Sequence, residues 1–228
     1  MARLKHKLSE PPTPPERGVK AATFGLLLDT AMALIKDGGH VPSVAEVAAR
    51  CKVSRATAYR YFANRSALVT AVIDASLGDV RGFASTDPDG RARVHALFEQ
   101  TFPQFTRYEP QMRAAVQLAL EQWALAQANL LEEEPYRRGH RVHVLERAIA
   151  PLAAQLPAAT YDRLHRALSV VYGIEVYVVL KDIWGVSNRY VEQTALWMAD
   201  ALIDAALREA ASAKAAPKAT RRAPRKAD

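Results

Sequence analysis

The chain reads as all-α, and three observations predict it. Strand-like alternation is almost absent from its 228 residues. Apolar residues recur at three- and four-residue spacing through most of its length. Prolines and glycines collect at segment ends, where they start or stop helices. Half of the residues are hydrophobic, enough to bury a sizeable core in one large domain or two small ones.

Residues 1–17 contain Pro11, Pro12, Pro14 and Pro15 and read as a flexible, basic arm. Gly18 to Asp37 follows as a first helix, with Phe24, Leu27, Leu28, Ala31 and Ile35 on one stripe and Gly38-Gly39 as the stop. Ser43 with Glu46 three residues on forms a capping box for a short second helix. Ser54 caps a third that begins at Arg55. Val44, Val47 and Ala48 share a face of the first of this pair, and Ala58 and Phe62 a face of the second. From Arg50 to Arg65 there are five basic residues and no acid. A compact helix-turn-helix whose second helix is basic and carries Thr and Tyr suits a DNA major groove.

Asn64 is a good N-cap for a fourth helix, with Leu68, Val72 and Ala75 at helical spacing, reaching about Phe83. Ser85 to Gly90 reads as a loop. Helices are then expected near 90–106, 109–130, 135–155, 158–184 and 188–213, about nine in all. Their breaks fall at Glu109-Pro110, Glu134-Pro135, Leu156-Pro157 and Trp184-Gly185. Pro103 and Pro151 lie inside helical patterns and predict a kink or an early end. From residue 213 the Ala/Lys/Pro/Arg tail has no apolar face and reads as disordered. The expected organisation is therefore an arm (1–17), a helix-turn-helix head (18–63), a helical body (64–212) and a basic tail (213–228).

The formal net charge of +7 is unevenly placed. Residues 1–20 carry five basic and two acidic side chains, and residues 209–228 carry six and two, so the body between them is neutral. The pI of 9.6 belongs to the tails. Cys51 is the one cysteine, which rules out an intramolecular disulfide framework and fits a reducing compartment. The basic N-terminus has no apolar run behind it, unlike a signal peptide. The stretch Leu168 to Leu180 is interrupted by Glu175 and is shorter than the roughly 20 residues of a bilayer span. A soluble cytoplasmic protein without a membrane partner is expected. No Gly-rich phosphate loop, nucleophile motif or convincing metal set is present, so neither catalysis nor a cofactor is expected.

Thr23 to Ile73 resembles the TetR family of bacterial transcriptional regulators. The resemblance rests on Ser43 with Val47-Ala48, Val53-Ser54, Thr57, the run Tyr59-Arg60-Tyr61-Phe62, Asn64-Arg65 and Leu68. Four positions depart from the family pattern: Lys52 for Gly in the turn, Ala58 for a larger aliphatic, Arg65 for Lys, and Ser66 for an acid. If the turn is unchanged, Lys52 must adopt a left-handed conformation at a cost of about 1 kcal/mol. The second half matches more loosely, through Arg147-Ala148-Ile149-Ala150-Pro151-Leu152, Gly173-Ile174-Glu175 and Leu180-Lys181-Asp182. The resemblance implies a homodimer built largely from the last two helices, and usually a small-molecule pocket in the C-terminal domain.

Carried over position by position, the resemblance directs Arg55, Thr57 and Tyr59 toward DNA. It places Tyr61, Arg65 and Ser43 at phosphates, with Ser54 and Arg60 completing the set. Arg can pair bidentately with guanine, Thr can bond a base edge or touch a thymine methyl, and Tyr and Arg suit phosphate oxygens. Phe62 is assigned to packing. Arg3, Lys5 and Lys7 either reach an adjacent groove or form a solubilising tail, and the C-terminal tail adds non-specific DNA affinity. Candidate pocket residues are Phe102, Met112, Trp123, His143, Tyr172 and Glu175, although an aromatic set at helical spacing also describes plain core. Glu175, in an otherwise apolar helix, is either a pocket acid or the partner of Arg141, His143 or Arg147. His140 and His143 share a helical face, and ordinary polar packing is preferred for them over metal binding. The candidate dimer interface comprises Val171, Val178, Val191, Ala195, Met198 and Leu202, on helices where small and large residues alternate.

The function expected is a sequence-specific repressor that binds a quasi-palindromic double-stranded operator as a homodimer and is released by a small-molecule effector. The alternative is an architectural DNA-binding protein without an effector.

Overall fold

The computed structural model describes residues 10–215, and no strand occurs among them. Ten α-helices are present: α1 (Gly18–Gly38), α2 (Val44–Arg50), α3 (Arg55–Tyr61), α4 (Arg65–Leu77), α5 (Gly90–Arg107), α6 (Glu109–Gln127), α7 (His140–Ile149), α8 (Ala158–Val171), α9 (Ile174–Tyr177) and α10 (Asn188–Ala215). Arg3, Lys5, Lys7 and the tail beyond 215 lie outside the described residues.

The head forms as its local signals dictate. The Ser43 hydroxyl accepts from the Glu46 amide at 3.1 Å, and the Glu46 carboxylate accepts from the Ser43 amide at 2.7 Å. The Ser54 hydroxyl accepts from the Thr57 amide at 3.1 Å, and the Asn64 side-chain oxygen accepts from the Ala67 amide at 2.8 Å. Each cap satisfies an orphan donor of a first turn, typically worth about 1 kcal/mol. Phe24, Leu27, Ala31 and Ile35 of α1 are buried with Val44, Val47, Ala48, Ala58 and Phe62. By length and composition α1 could cross a membrane, but its apolar stripe is the centre of this head.

Lys52 has φ of 57° in the turn between α2 and α3, the left-handed conformation expected of it. Lys52→Gly is accordingly expected to stabilise the protein by about 0.5–1 kcal/mol, because Gly bears the left-handed turn without the Cβ clash. A urea titration checks this; an unchanged or lower midpoint would count against the strain.

α4 begins at the head and ends in the body. Leu68, Val69, Ala71 and Val72 pack with the head core, as do Ala114, Ala115 and Leu118 of α6, while Leu77 joins the body core. Gln111 of α6 donates to the Met32 carbonyl of α1 at 2.9 Å. In the body, α5 packs against α7 and α10, and α8 against α7 and α10. Rings of Phe98, Phe102, Phe105, Tyr172 and Tyr177 meet at centroid distances of 5.2–6.1 Å. Pro103 is accommodated inside α5, which continues to Arg107.

Several boundaries differ from the expectation. α4 stops at Leu77 and passes into a 3-10 turn, Gly78–Gly82, and Ala75 is exposed. Residues 135–139 are not helical, and α7 starts at His140. At Ala150, one residue before Pro151, α7 gives way to a 3-10 segment. The helix expected over 158–184 breaks at Tyr172-Gly173 and resumes as α9 and a π-helical segment, Val178–Ile183. α10 continues through 213–215.

Candidate nucleic-acid interface and interior cavity

On α3, Arg55, Tyr59 and Arg60 are exposed, Tyr59 by 46%, while Ala58 is fully buried. An exposed Tyr with a polar tip beside two guanidinium groups forms a surface able to donate to phosphates and base edges. Thr57 is half-buried, and its hydroxyl lies 2.8 Å from that of Ser54. The hydroxyls of Ser43 and Ser54 already cap helices. Tyr61 is half-buried with its ring edge-on to Phe24 at 6.1 Å, so much of its surface serves packing.

Arg65 already has partners within the protein. Its guanidinium donates to both oxygens of Glu121, at 2.9 and 3.3 Å, and to the Val41 carbonyl at 3.1 Å. It ties the start of α4 to the α1–α2 loop and to α6, so that a phosphate would compete with Glu121 for it. The acid that holds it lies 56 residues away, beyond the reach of local pattern reading.

Gln122 of α6 makes a second link that sequence reasoning missed. Its side-chain amide donates to the Ser66 hydroxyl at 2.9 Å and to Glu133 at 2.8 Å, and its oxygen accepts from the Tyr136 amide at 2.8 Å. The side chain is buried and fixes the irregular segment 128–139 against α4.

That segment walls a cavity of about 470 Å3 between α4, α5, α6, the start of α7 and the α8–α9 break. Of the expected pocket residues, Met112, His143 and Tyr172 line it. Phe102 is buried in the core, in ring contact with Phe105, which does line it. Trp123 is 64% exposed and lies outside the cavity, because its position on α6 faces away from α4 and α5. Glu175 is not a lining group but pairs with two that are, Arg138 and, at 2.7 Å, Arg141. Burial opposes ionisation of its carboxyl, but Arg141 and Arg138 outweigh it and hold the group below the usual carboxylate range. Of the three partners expected for Glu175, only Arg141 serves; Arg147 instead donates to the carbonyls of Phe83 and Arg81 at 2.8 and 3.0 Å.

The basic lining of Arg81, Arg137, Arg138 and Arg141 was not singled out from the sequence. Its visible trace is the run Tyr136-Arg137-Arg138-Gly139-His140-Arg141. His140 lines the same cavity, and its Nε2 is buried without a hydrogen-bond partner among the described residues. Burial, then the charges of Arg81, Arg147 and His143, lower its pKa to about 4, so the imidazole is neutral at pH 7.

The expected dimer residues also require correction. Val171, Val191 and Ala195 are buried within the protomer, and Met198 and Leu202 pack against the body core. That stripe of α10 is covered by α5 and α8. From α8 to α10 the large apolar side chains left exposed are Val170, Val179, Ile183, Trp184 (73%), Tyr190 and Trp197 (69%), while Val178 is half-buried. Tyr190 and Trp197 are seven residues apart on α10, hence on one face of the helix.

Residues 27–72 match the family described as bacterial regulatory proteins, tetR family. No curated protein matches the chain. The matched span covers most of α1, all of α2 and α3 and the head-facing part of α4. With a capped helix-turn-helix in that span, residues 27–72 form a helix-turn-helix domain of the TetR family's N-terminal type, and the match supports a DNA-binding transcriptional regulator.

Proposed function

We propose that the protein is a soluble, cytoplasmic, homodimeric repressor that binds a quasi-palindromic operator and releases it when a small molecule fills the cavity. The observation that carries the DNA side is the exposed Arg55-Tyr59-Arg60 surface of α3 on a head locked by three side-chain caps. Arg55, Thr57 and Tyr59 face the major groove, with Arg60 and the hydroxyl of Tyr61 toward phosphates and Ser43 and Ser54 supporting the helix starts. Arg55→Ala is expected to weaken binding to the operator by about tenfold to a hundredfold, with a smaller effect on unrelated duplex. Fluorescence anisotropy on both duplexes checks this. Equal losses on the two would reduce Arg55 to a phosphate contact.

Dimerisation is assigned to the exposed face of Trp184, Tyr190 and Trp197 with Ile183, since such an apolar surface is costly to leave in water. Closed two-fold pairing would present two α3 helices to successive major grooves, roughly 34–36 Å apart or somewhat more. Trp197→Glu is the informative variant in sedimentation: a dimer that persists unchanged would relocate the interface.

Release follows from the position of the cavity. Thr70, Ile73 and Leu77 of α4 line it, and the same helix begins next to α3. A ligand that favours one placement of α4 over another therefore biases the head through one helix, and its effect on DNA affinity equals its differential affinity for the two placements. Anisotropy of the bound operator during a ligand screen tests this reading.

A further inference from the structure

We infer that the cavity is built for an amphipathic organic anion, a carboxylate head on an apolar body of about the size of a ten-carbon chain or a naphthyl group. This inference rests on the effector reading above and adds the ligand's chemistry to it. The lining is divided by element. Residues 137–141 and Arg81 supply guanidinium groups and an imidazole, whereas Ile73, Leu77, Phe105 and Met112 supply an apolar wall from α4, α5 and α6. Among the described lining residues, four arginines and two histidines face a single carboxylate residue, Glu10.

Two of these arginines, Arg138 and Arg141, share a single acid. Asp74 pairs with Arg81, and Glu175 alone pairs with both Arg138 and Arg141. Arg141 also donates to the Ser169 carbonyl at 2.9 Å, but one carboxylate shared between two guanidinium groups leaves positive charge whose natural complement is a second anion, bound through charge-assisted hydrogen bonds. The orphaned Nε2 of His140 adds a neutral group able to donate to or accept from the same head. A cationic ligand would meet the reverse, since the lining and its ion-pair partners hold four guanidinium groups against the three carboxylates of Asp74, Glu175 and Glu10. The volume of about 470 Å3 lies within the range of small-molecule pockets.

Gly173 shows how closely the pair is fitted to this wall. A Cβ there would fall 2.6 Å from both the Arg141 Nη1 and the Glu175 Oε2. The break between α8 and α9 is therefore where the backbone lets the Arg141–Glu175 pair sit at the cavity edge.

The test is isothermal titration of the full chain with matched probes: decanoate, decanol and decyltrimethylammonium, and 2-naphthoate against 2-naphthol. At least one anion is expected to bind about tenfold or more tightly than its neutral counterpart, and the cation weakest. Arg141→Met should sharply reduce the ratio of anion to neutral-probe affinity. Glu175→Gln, which frees both guanidinium groups, should tighten the anion by several-fold. Neutral or cationic probes binding as tightly as the anions, or a Glu175→Gln variant that binds the anion more weakly, would overturn the anionic assignment while leaving an effector cavity in place. Binding of no probe at millimolar concentration would remove the effector reading together with it.

Discussion

Phe62→Ala is expected to cost about 3–5 kcal/mol of stability and to abolish DNA binding. Phe62 is fully buried, its ring lies 5.1 Å from that of Phe24, and its amide closes α3 by donating to the Ala58 carbonyl at 3.0 Å. The head is small, with α2 and α3 only seven residues each. Such short helices are held by packing and not by propensity, and the few residues around the deleted ring leave little means of closing the cavity. Against a typical total of about 5–15 kcal/mol, the loss is enough to unfold the head locally. Urea denaturation followed by circular dichroism, with operator anisotropy in parallel, reads both effects. A cost below about 1 kcal/mol would mean that Phe62 does not anchor α3 to α1.

Gln122→Ala is expected to cost about 2–4 kcal/mol, an unusually large value for a polar side chain. The substitution removes three hydrogen bonds at once and strands the Tyr136 amide and the Ser66 hydroxyl. Both the α4–α6 contact and the wall of the cavity depend on it. The neighbouring Arg65–Glu121 pair, with Glu121 43% exposed, should by contrast be worth under about 1 kcal/mol. The double comparison separates a buried network from a solvated ion pair. Hydrogen exchange at the Tyr136 amide gives a local readout, and protection unchanged from the wild type would contradict this role of Gln122.

What could be read from the sequence follows a physical division. The caps at Ser43, Ser54 and Asn64 lie within three residues of the amides they satisfy, and all three form as expected. The left-handed Lys52 was implied by the family resemblance, which has Gly at that turn position. The family match at residues 27–72 covers this same locally encoded region. The need for glycine at the Gly173 break was not legible, because the Arg141–Glu175 pair that a Cβ there would meet has one partner from another helix. The partner of Arg65 was not legible for the same reason, since Glu121 is distant in sequence. α10 misled in another way. It carries one apolar face of Val191, Ala195, Ala199 and Ile203 and another with Tyr190 and Trp197. Periodicity cannot say which of two apolar faces packs inside the protomer.

The central claim, that α3 reads a defined DNA sequence as part of a two-fold dimer, is tested most directly by selecting bound duplexes from a random pool with the full chain and footprinting the winners. A quasi-palindromic site is expected, with half-site centres about one helical turn apart or somewhat more and protection lost with Arg55→Ala. Sequence-blind coating, with affinity rising with duplex length and Arg55→Ala affecting all duplexes alike, would contradict it and favour an architectural DNA-binding protein.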